Sequence, residues 1–348
     1  MSARALPAEE SARPKVNPIF LWAGLFLVLA GLGLLVDDYT THILILIFFW
    51  AYLGQSWNIL GGYAGQFSFG HTVFFGVGAY TSTALFVHFG LTPWIGLIVG
   101  GLLGLALGLF IGFLSFRYGL RGAYFALATL AFAEILQVIA LNVGWLGGGA
   151  GMLVPLWGDA AWLFQFPSKR PYYYIILAML AGLTYLTHRI SRAKLGYYLV
   201  SIRENENAAE AIGVDTFAYK MRAMAISSLL TTLGGTFYAQ YFFYIDPLLA
   251  FGVGNSVEII LRPIVGGAGT IAGPIVGSFI LTPLGEFTRQ YVRLWTGQNT
   301  PGVDLVVFGA ILILVIVFLP NGVVGAVSGA LRRWRHRPAP TPAPEATA

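Results

Sequence analysis

The chain has 348 residues, of which 57% are hydrophobic and only 10% charged, and its mean hydropathy is +0.74, whereas soluble proteins average roughly a quarter charged. These values exclude a soluble domain and point to an all-α polytopic membrane protein. Cysteine is absent, which removes disulfide frameworks, thiolate nucleophiles and cysteine metal sites, and the 44 glycines suit membrane helices whose backbones approach through small-residue contacts.

In chain order, residues 1–18 form a polar tail carrying Arg4, Arg13 and Lys15. It lacks the ordered charge, apolar core and small-residue site of a cleavable signal, so the first apolar run is expected to be retained. Runs long enough to cross roughly 30 Å of hydrocarbon follow near 19–36, 42–60, 67–89, 93–116, 122–143, 172–188, 220–242, 271–288 and 303–319, with a shorter glycine-flanked piece near 251–265. Counting that half-membrane piece, the spacing predicts about ten crossings in a transmembrane domain over 19–320.

Charge placement tests the count. With both termini cytoplasmic, the inside segments hold 16 Lys/Arg, whereas the outside ones hold only Lys169, Arg170, Arg289 and Arg293. That is the asymmetry the positive-inside rule expects. Nine crossings would put the Arg332–Arg337 cluster outside, so ten or eight fits better, and the cluster reads as a topology anchor at an anionic surface. Asp37, Asp38 and the interval 144–171 fall outside. Within the latter, Gly147-Gly148-Gly149-Ala150-Gly151 is compatible with meeting a soluble partner, with shaping an outer mouth, or with a plain connector. Residues 321–348 read as a basic and then Pro/Ala-rich cytoplasmic tail, disordered over 338–348.

Between two apolar runs lies the polar interval from His188 to Arg222, with six Lys/Arg. Ser201 and Glu204 have the S-x-x-E spacing of a helix start, and Gly213 supplies a stop, since glycine takes the left-handed conformation that helix ends often need. The short helix so delimited would carry Ala208, Ala209, Ala211 and Ile212 on an apolar side and Glu204, Glu206, Asn207 and Glu210 on a polar one. It is too short to span. It suits docking into a groove on another protein, and equally an ordinary solvated loop.

Gly61-Gly62-Tyr63-Ala64-Gly65 is echoed by Gly266-Gly267-Ala268-Gly269-Thr270, as two pseudo-repeated halves would produce. Polar side chains at membrane depth include Gln55, Asn58, Ser68, His71, Thr72, Thr81, Glu134, Gln137, Gln240, Glu258 and Glu286. Buried carboxylates are costly in lipid and usually face a cavity or partner. Glu134 and Gln137 are three apart, with Thr129 about a turn earlier on roughly the same side, and this face could line a polar path or bond to a neighbouring helix. His71 reads as structural, because no acid or metal partner is visible near it. Glu258 and Glu286 lie near predicted helix ends. There is no G-x-x-x-x-G-K-[ST] phosphate loop, no H-E-x-x-H and no G-x-S-x-G, so neither nucleotide hydrolysis nor an intramembrane enzyme is supported, and no cofactor is expected.

The run Gly62-Tyr63-Ala64-Gly65-Gln66-Phe67-Ser68-Phe69-Gly70-His71-Thr72, continuing through Gly76-Val77-Gly78-Ala79-Tyr80, resembles the signature of LivM-type permeases of branched-chain amino-acid ABC importers. Leu120–Ala126 with Thr129 and Glu134, Gly147-Gly148-Gly149, Ile202–Gly213, and Gly266–Thr270 with Gly273-Pro274 also resemble that family, in order over about 40–320. Departures are Ser56-Trp57-Asn58 and the Arg262-Pro263 pair. The resemblance implies a multi-pass inner (plasma) membrane permease without ATPase activity of its own. It implies a LivH-like second permease, two cytoplasmic ATP-binding subunits and an external solute-binding protein as partners, with no nucleic acid. It also implies coupling to the ATPases through the loop about 189–219, by Arg203, Glu204, Glu206, Ala208, Ala209, Ile212 and Gly213. A path lined by Gln66, Ser68, His71, Thr72, Tyr80, Thr129, Glu134 and Gln137 would pass the solute. Relatives on this frame carry urea, amides or aromatic acids, so the solute stays open. Competing classes are a proton-coupled secondary transporter using Glu134 or Glu258, and a passive channel.

Overall fold

The computed structural model describes residues 18–296 and 322–335, with isolated positions between them. The predicted run 303–319 falls almost wholly outside the described residues, as do the tail 1–17 and the segment 338–348. The helices are α1 (Pro18–Leu35), α2 (Asp38–Asn58), α3 (His71–Phe89), α4 (Pro93–Arg117), α5 (Gly122–Asn142), α6 (Arg170–Arg192), α7 (Lys194–Glu204), α8 (Glu206–Ala211), α9 (Thr216–Phe242), α10 (Pro247–Phe251), α11 (Val253–Gly266) and α12 (Gly273–Thr296). A further helix covers Gly322–Arg335. Every predicted apolar run within the described residues falls on a helix. By length and composition, four are able to cross a membrane: α2 with the π-turn that extends it to Tyr63, α3, α4 and α5.

Helix starts follow local chemistry. Asp37 caps α2 by accepting from the backbone N–H groups of Tyr39 and Thr40, and donation from the Thr40 hydroxyl holds its carboxyl below the usual range. Thr92 precedes Pro93 and accepts from Trp94 N–H at the start of α4, where a proline costs no hydrogen bond.

The tightest packing joins α3, α4 and α9. Gly96, Gly100, Gly104, Gly108 and Gly112 recur every four residues along α4 and form one stripe, because residues four apart share a helix face. A Cβ on Gly104 would stand 1.9 Å from the Thr232 hydroxyl oxygen, and one on Gly108 would stand 2.2 Å from that of Ser228. The stripe therefore lets α4 lie directly on α9. Helix α3 meets α9 in the same way, where a Cβ on Gly235 would reach within 1.9 Å of the Phe75 carbonyl. Such close approach replaces the hydrophobic drive that lipid does not provide between helices. Helix α2 packs on α6, α9, α11 and α12, with Phe48, Tyr52 and Trp57 fully buried. Helix α1 rests on α6, whose Tyr174 hydroxyl donates to the Ala30 carbonyl at 3.1 Å.

Several expectations are corrected. The run predicted from 67 starts helically only at His71; residues 64–70 form a loop, because Gly65 turns the chain at φ +68°. Gln66 and Ser68 thus lie on that loop. Helix α12 continues to Thr296, which places Glu286 well inside it and not near its end. The all-α architecture holds, with one two-residue ladder among the described residues in which Met152–Leu153 pairs antiparallel with Tyr244–Ile245. That ladder fixes the glycine-rich interval: a Cβ on Gly151 would lie 2.3 Å from the Ile245 carbonyl oxygen. After residue 320 the chain forms the Gly322–Arg335 helix against α11 and α12, so Arg332, Arg333 and Arg335 are helical.

Gly108→Leu should destabilise the fold by about 1–3 kcal/mol, the usual cost of overpacking, seen as a lower unfolding midpoint in detergent. Gly24→Leu, at a position with no atom within 4 Å of the added Cβ, should leave the midpoint unchanged.

Candidate functional site

Helices α7 and α8 form an elbow beside the loops at the ends of α2 and α11. Asn205 breaks the helix between them with an extended backbone (φ −160°, ψ 105°), and its side-chain oxygen accepts from Ala208 N–H at 3.0 Å. The S-x-x-E start is therefore not used. Ser201 lies within α7, held there by the burial of Leu199 and Ile202, and its hydroxyl donates back to the Tyr198 carbonyl. The amide oxygen of Asn205 takes over as cap.

The stop falls where the glycine predicts it. Gly213 has φ +87°, its N–H donates to the Glu210 carbonyl at 2.9 Å, and Val214 N–H donates to that of Ala209 at 3.0 Å. This reciprocal pair satisfies the last carbonyls of α8. Ala209 and Val214 then pack with Ile202 in a small core beneath the elbow.

The two faces of α8 differ from the sequence expectation. Ala209 and Glu206 point inward, while Asn207, Ala208, Glu210, Ala211 and Ile212 are exposed, Ile212 at 78%. Glu206 belongs to the inner face because its carboxylate meets Lys220 Nζ at 2.5 Å and Arg121 Nη2 at 3.3 Å. Lys220 is only 3% exposed and lies 5.0 Å over the Phe116 ring. Arg121, just before α5, also donates to Asn207 Oδ1 at 2.7 Å, and Glu210 accepts from the Thr216 hydroxyl at 2.6 Å.

Arg203 provides the third tie. Its Nη1 donates to the Gly62 carbonyl at 2.9 Å, its guanidinium pairs with Glu204 at 2.7 Å, and its stem packs on Gly65. The echoed glycine segments meet at this point. Asn58 Nδ2 donates to the Thr270 carbonyl at 2.8 Å, and Asn58 Oδ1 accepts from Gly269 N–H at 2.8 Å. Any side chain on Gly269, which has φ +76°, would strike Arg203 Nη1. Arg203 thus ties the elbow to the end of α2 and the loop after it, and Asn58 ties that end to the connection between α11 and α12.

Deeper in, several expected path residues come together. The Ser227 hydroxyl donates to the Ser56 carbonyl at 2.7 Å, so His71 Nε2, 2.8 Å from that hydroxyl, must be the donor to it. His71 Nδ1 then accepts from Ser68 at 3.2 Å. Thr72 Oγ1 lies 2.9 Å from Ser256 Oγ, and Thr129 Oγ1 accepts from Phe69 N–H at 3.1 Å. This cluster fastens the 64–70 loop to α5, α9 and α11. Gln66 is buried; its backbone N–H donates to the Leu60 carbonyl at 3.1 Å and its Nε2 to that of Ala64 at 3.2 Å. Tyr80 stacks on Phe251 at 5.7 Å, and both its hydroxyl and Gln137 Oε1 are buried without a hydrogen-bond partner among the described residues. Glu134 stands apart. Five residues of helix turn it roughly 140° away from Thr129, and it lies on an exposed α5 stripe with Tyr124, Leu127 and Val138. Among the described residues no group of acidic or histidine side chains could hold a metal ion.

The family described as "Branched-chain amino acid transport system / permease component" matches residues 39–316. The high-affinity branched-chain amino acid transport permease protein LivM of Escherichia coli (strain K12) is 27% identical over 92% of this chain and 77% of its own length. LivM of Salmonella typhimurium is 25% identical over the same shares. LivH of Salmonella typhimurium is 23% identical over 79% of this chain and 91% of its own. No solved structure matches the chain.

Lys220→Met strands a buried carboxylate and should cost about 3 kcal/mol, softened by Arg121. Glu206→Gln together with Lys220→Met should recover most of the loss, as measured by a double-mutant cycle on thermal unfolding.

Proposed function

The chain belongs to the branched-chain amino-acid transport permease family, and from that membership we propose that it is the permease subunit of an ATP-driven importer for branched-chain amino acids. It sits in the plasma (inner) membrane with about ten crossings and both termini cytoplasmic. A LivH-like permease completes the path, two cytoplasmic ATPases supply energy, and an external binding protein delivers solute. The chain itself hydrolyses nothing.

The observation that carries this reading is the two-faced elbow. Its inner face is tied by ions and hydrogen bonds to three separate parts of the bundle, while its outer face presents Ala208, Ala211 and Ile212 to solvent. A helix too short to span, rigidly anchored and presenting a small apolar patch beside Asn207 and Glu210 on its outer face, is suited to seating in a groove of a soluble subunit. When the ATPases close on ATP, displacement of α8 passes through Glu206 to Lys220 on α9 and to Arg121 at α5. The same displacement passes through Arg203 to the π-turn at Gly62. Charged contacts held this way move as one body, so the push reaches α2, α5 and α9 together.

The exposed α5 stripe with Glu134 faces the partner permease, and Tyr80 and Gln137 offer polar groups to the path. Ser68, His71, Thr72 and Thr129 hold the loop that moves with Arg203. A secondary transporter would have no use for an anchored elbow of this kind.

Because the chain has no cysteine, a thiol introduced by Ile212→Cys is the sole label site. It should react with an impermeant maleimide only from the cytoplasmic side, and labelling of intact cells from outside would sink the reading. Ala211→Trp should abolish uptake and stimulated ATP hydrolysis while leaving insertion intact. Bulky changes at the buried Ala209 should instead act through folding.

A further inference from the structure

Helices α4 and α5 touch where Phe116 stacks on Phe125 at 5.2 Å and Phe110 meets Phe132 edge-on at 6.3 Å. Beyond that point they part, and a cavity of about 670 Å³ opens between them with α3 as its back wall. Trp145 and Leu146 close it at the end where the 144–171 loop begins, and Phe110 is its innermost lining residue on α4. The stretch of α4 from Val99 to Phe110 covers about 16 Å at the helical rise, close to half of roughly 30 Å of hydrocarbon. The cavity therefore spans one leaflet, the one on the side of that loop. Trp145 is fixed at its mouth by stacking on His88 at 4.6 Å, while His88 Nε2 donates to the Trp145 carbonyl at 2.8 Å. An exposed indole at the level of the helix ends suits the headgroup boundary.

We propose that this cavity holds one acyl chain of a membrane phospholipid as a resident component of the subunit. The inference goes beyond the transport reading and rests only on the crossing of the bilayer by α3, α4 and α5. The lining excludes the other occupants. None of its residues is charged, so an amino acid would leave both of its charges unpaired against an apolar wall. Water needs about two to four polar partners, and only Thr81 and Trp145 offer polar side-chain groups, because the Tyr80 hydroxyl is itself buried. An empty gap would forfeit dispersion contacts along the whole lining. A hydrocarbon chain restores those contacts without any polar requirement and needs only a lateral entrance. Leu103, Phe110 and Ile139 line the cavity and are also exposed, which puts the entrance on the bilayer-facing surface between α4 and α5. Leu136 and Ile139 stand about 140–160° around α5 from Glu134, so a partner covering the Glu134 stripe leaves this entrance open. Walls from three helices separate a chain held here from lipid that exchanges freely around the rest of the surface.

The test uses the full-length chain in the assembled importer, in nanodiscs doped with a phosphatidylglycerol whose acyl chain carries a mid-chain diazirine. The complex is extracted into detergent, washed free of loosely held lipid and illuminated, and the adducts are located by peptide mass spectrometry. Adducts should concentrate on the wall segments 99–110 and 136–146, several-fold above those on the exposed face of α1 around Phe20 and Leu27, whose lipid washes away. Ala106→Trp, at an exposed lining position from which a ring can fill the cavity, should lower the wall adducts about tenfold, the scale of an overpacking cost. Leu102→Trp, on the adjoining exposed face outside the cavity, should leave them unchanged. In the wild type, wall adducts no more frequent than those on α1 would overturn the proposal whether or not the variants assemble, and so would wall adducts that persist undiminished in Ala106→Trp. A maleimide crosslink from Ala106→Cys to a partner subunit would assign the cavity to a protein helix and overturn it as well.

Discussion

The hydrogen bond from Arg203 to the Gly62 carbonyl, at 2.9 Å, is the contact on which the architecture of the elbow turns. Gly62 lies in the last turn of the π-helical end of α2, Ile59–Tyr63, where backbone carbonyls have no partner further along the helix, and π-turns of this kind recur at functional sites. Glycine is required around it because a side chain at Gly62 would lie 1.9 Å from Asn58 Oδ1, and one at Gly65 would lie 2.8 Å from the Arg203 stem. The glycine-rich motif is therefore a socket for one guanidinium.

A single carboxylate organises the other side of the elbow. Glu206 receives Lys220 and Arg121, which come from the ends of two different long helices. A half-exposed ion pair contributes little, but Lys220 is nearly inaccessible, and a buried charge with one partner removed is costly. Glu206 is thus obliged to stay inward, and that obligation turns α8 so that Ala208, Ala211 and Ile212 look out. The orientation of this exposed face follows from electrostatics on the opposite face.

Much of this was legible beforehand. Apolar runs of near-spanning length located the helices, since period and length survive any packing arrangement, and Gly213 marked its stop because a residue with φ +87° leaves few alternatives to glycine. Ser201 and Asn205 are two capping residues four apart, and only the burial of Leu199 and Ile202 decides for Asn205. A six-residue helix carries too few turns for periodicity to define which way Glu206 and Ala209 face, and the partners Lys220 and Arg121 are remote in sequence. Nearness along the chain groups Glu134 with Thr129, whereas the angular step of the helix separates them. The glycine echo was visible as a pattern, but nothing in it showed that both copies would close around one arginine.

The exposed stripe of α5 carries a further consequence. A carboxylate at mid-helix against lipid costs roughly 2.5–3.5 kcal/mol on insertion scales, and Glu134 stands on just such a surface. A solitary copy bears that penalty continuously, whereas a copy whose α5 is covered by a polar neighbour does not. Covering the stripe with a polar neighbour would lift that penalty, so burial of α5 would be worth more in free energy than its apolar side chains alone supply.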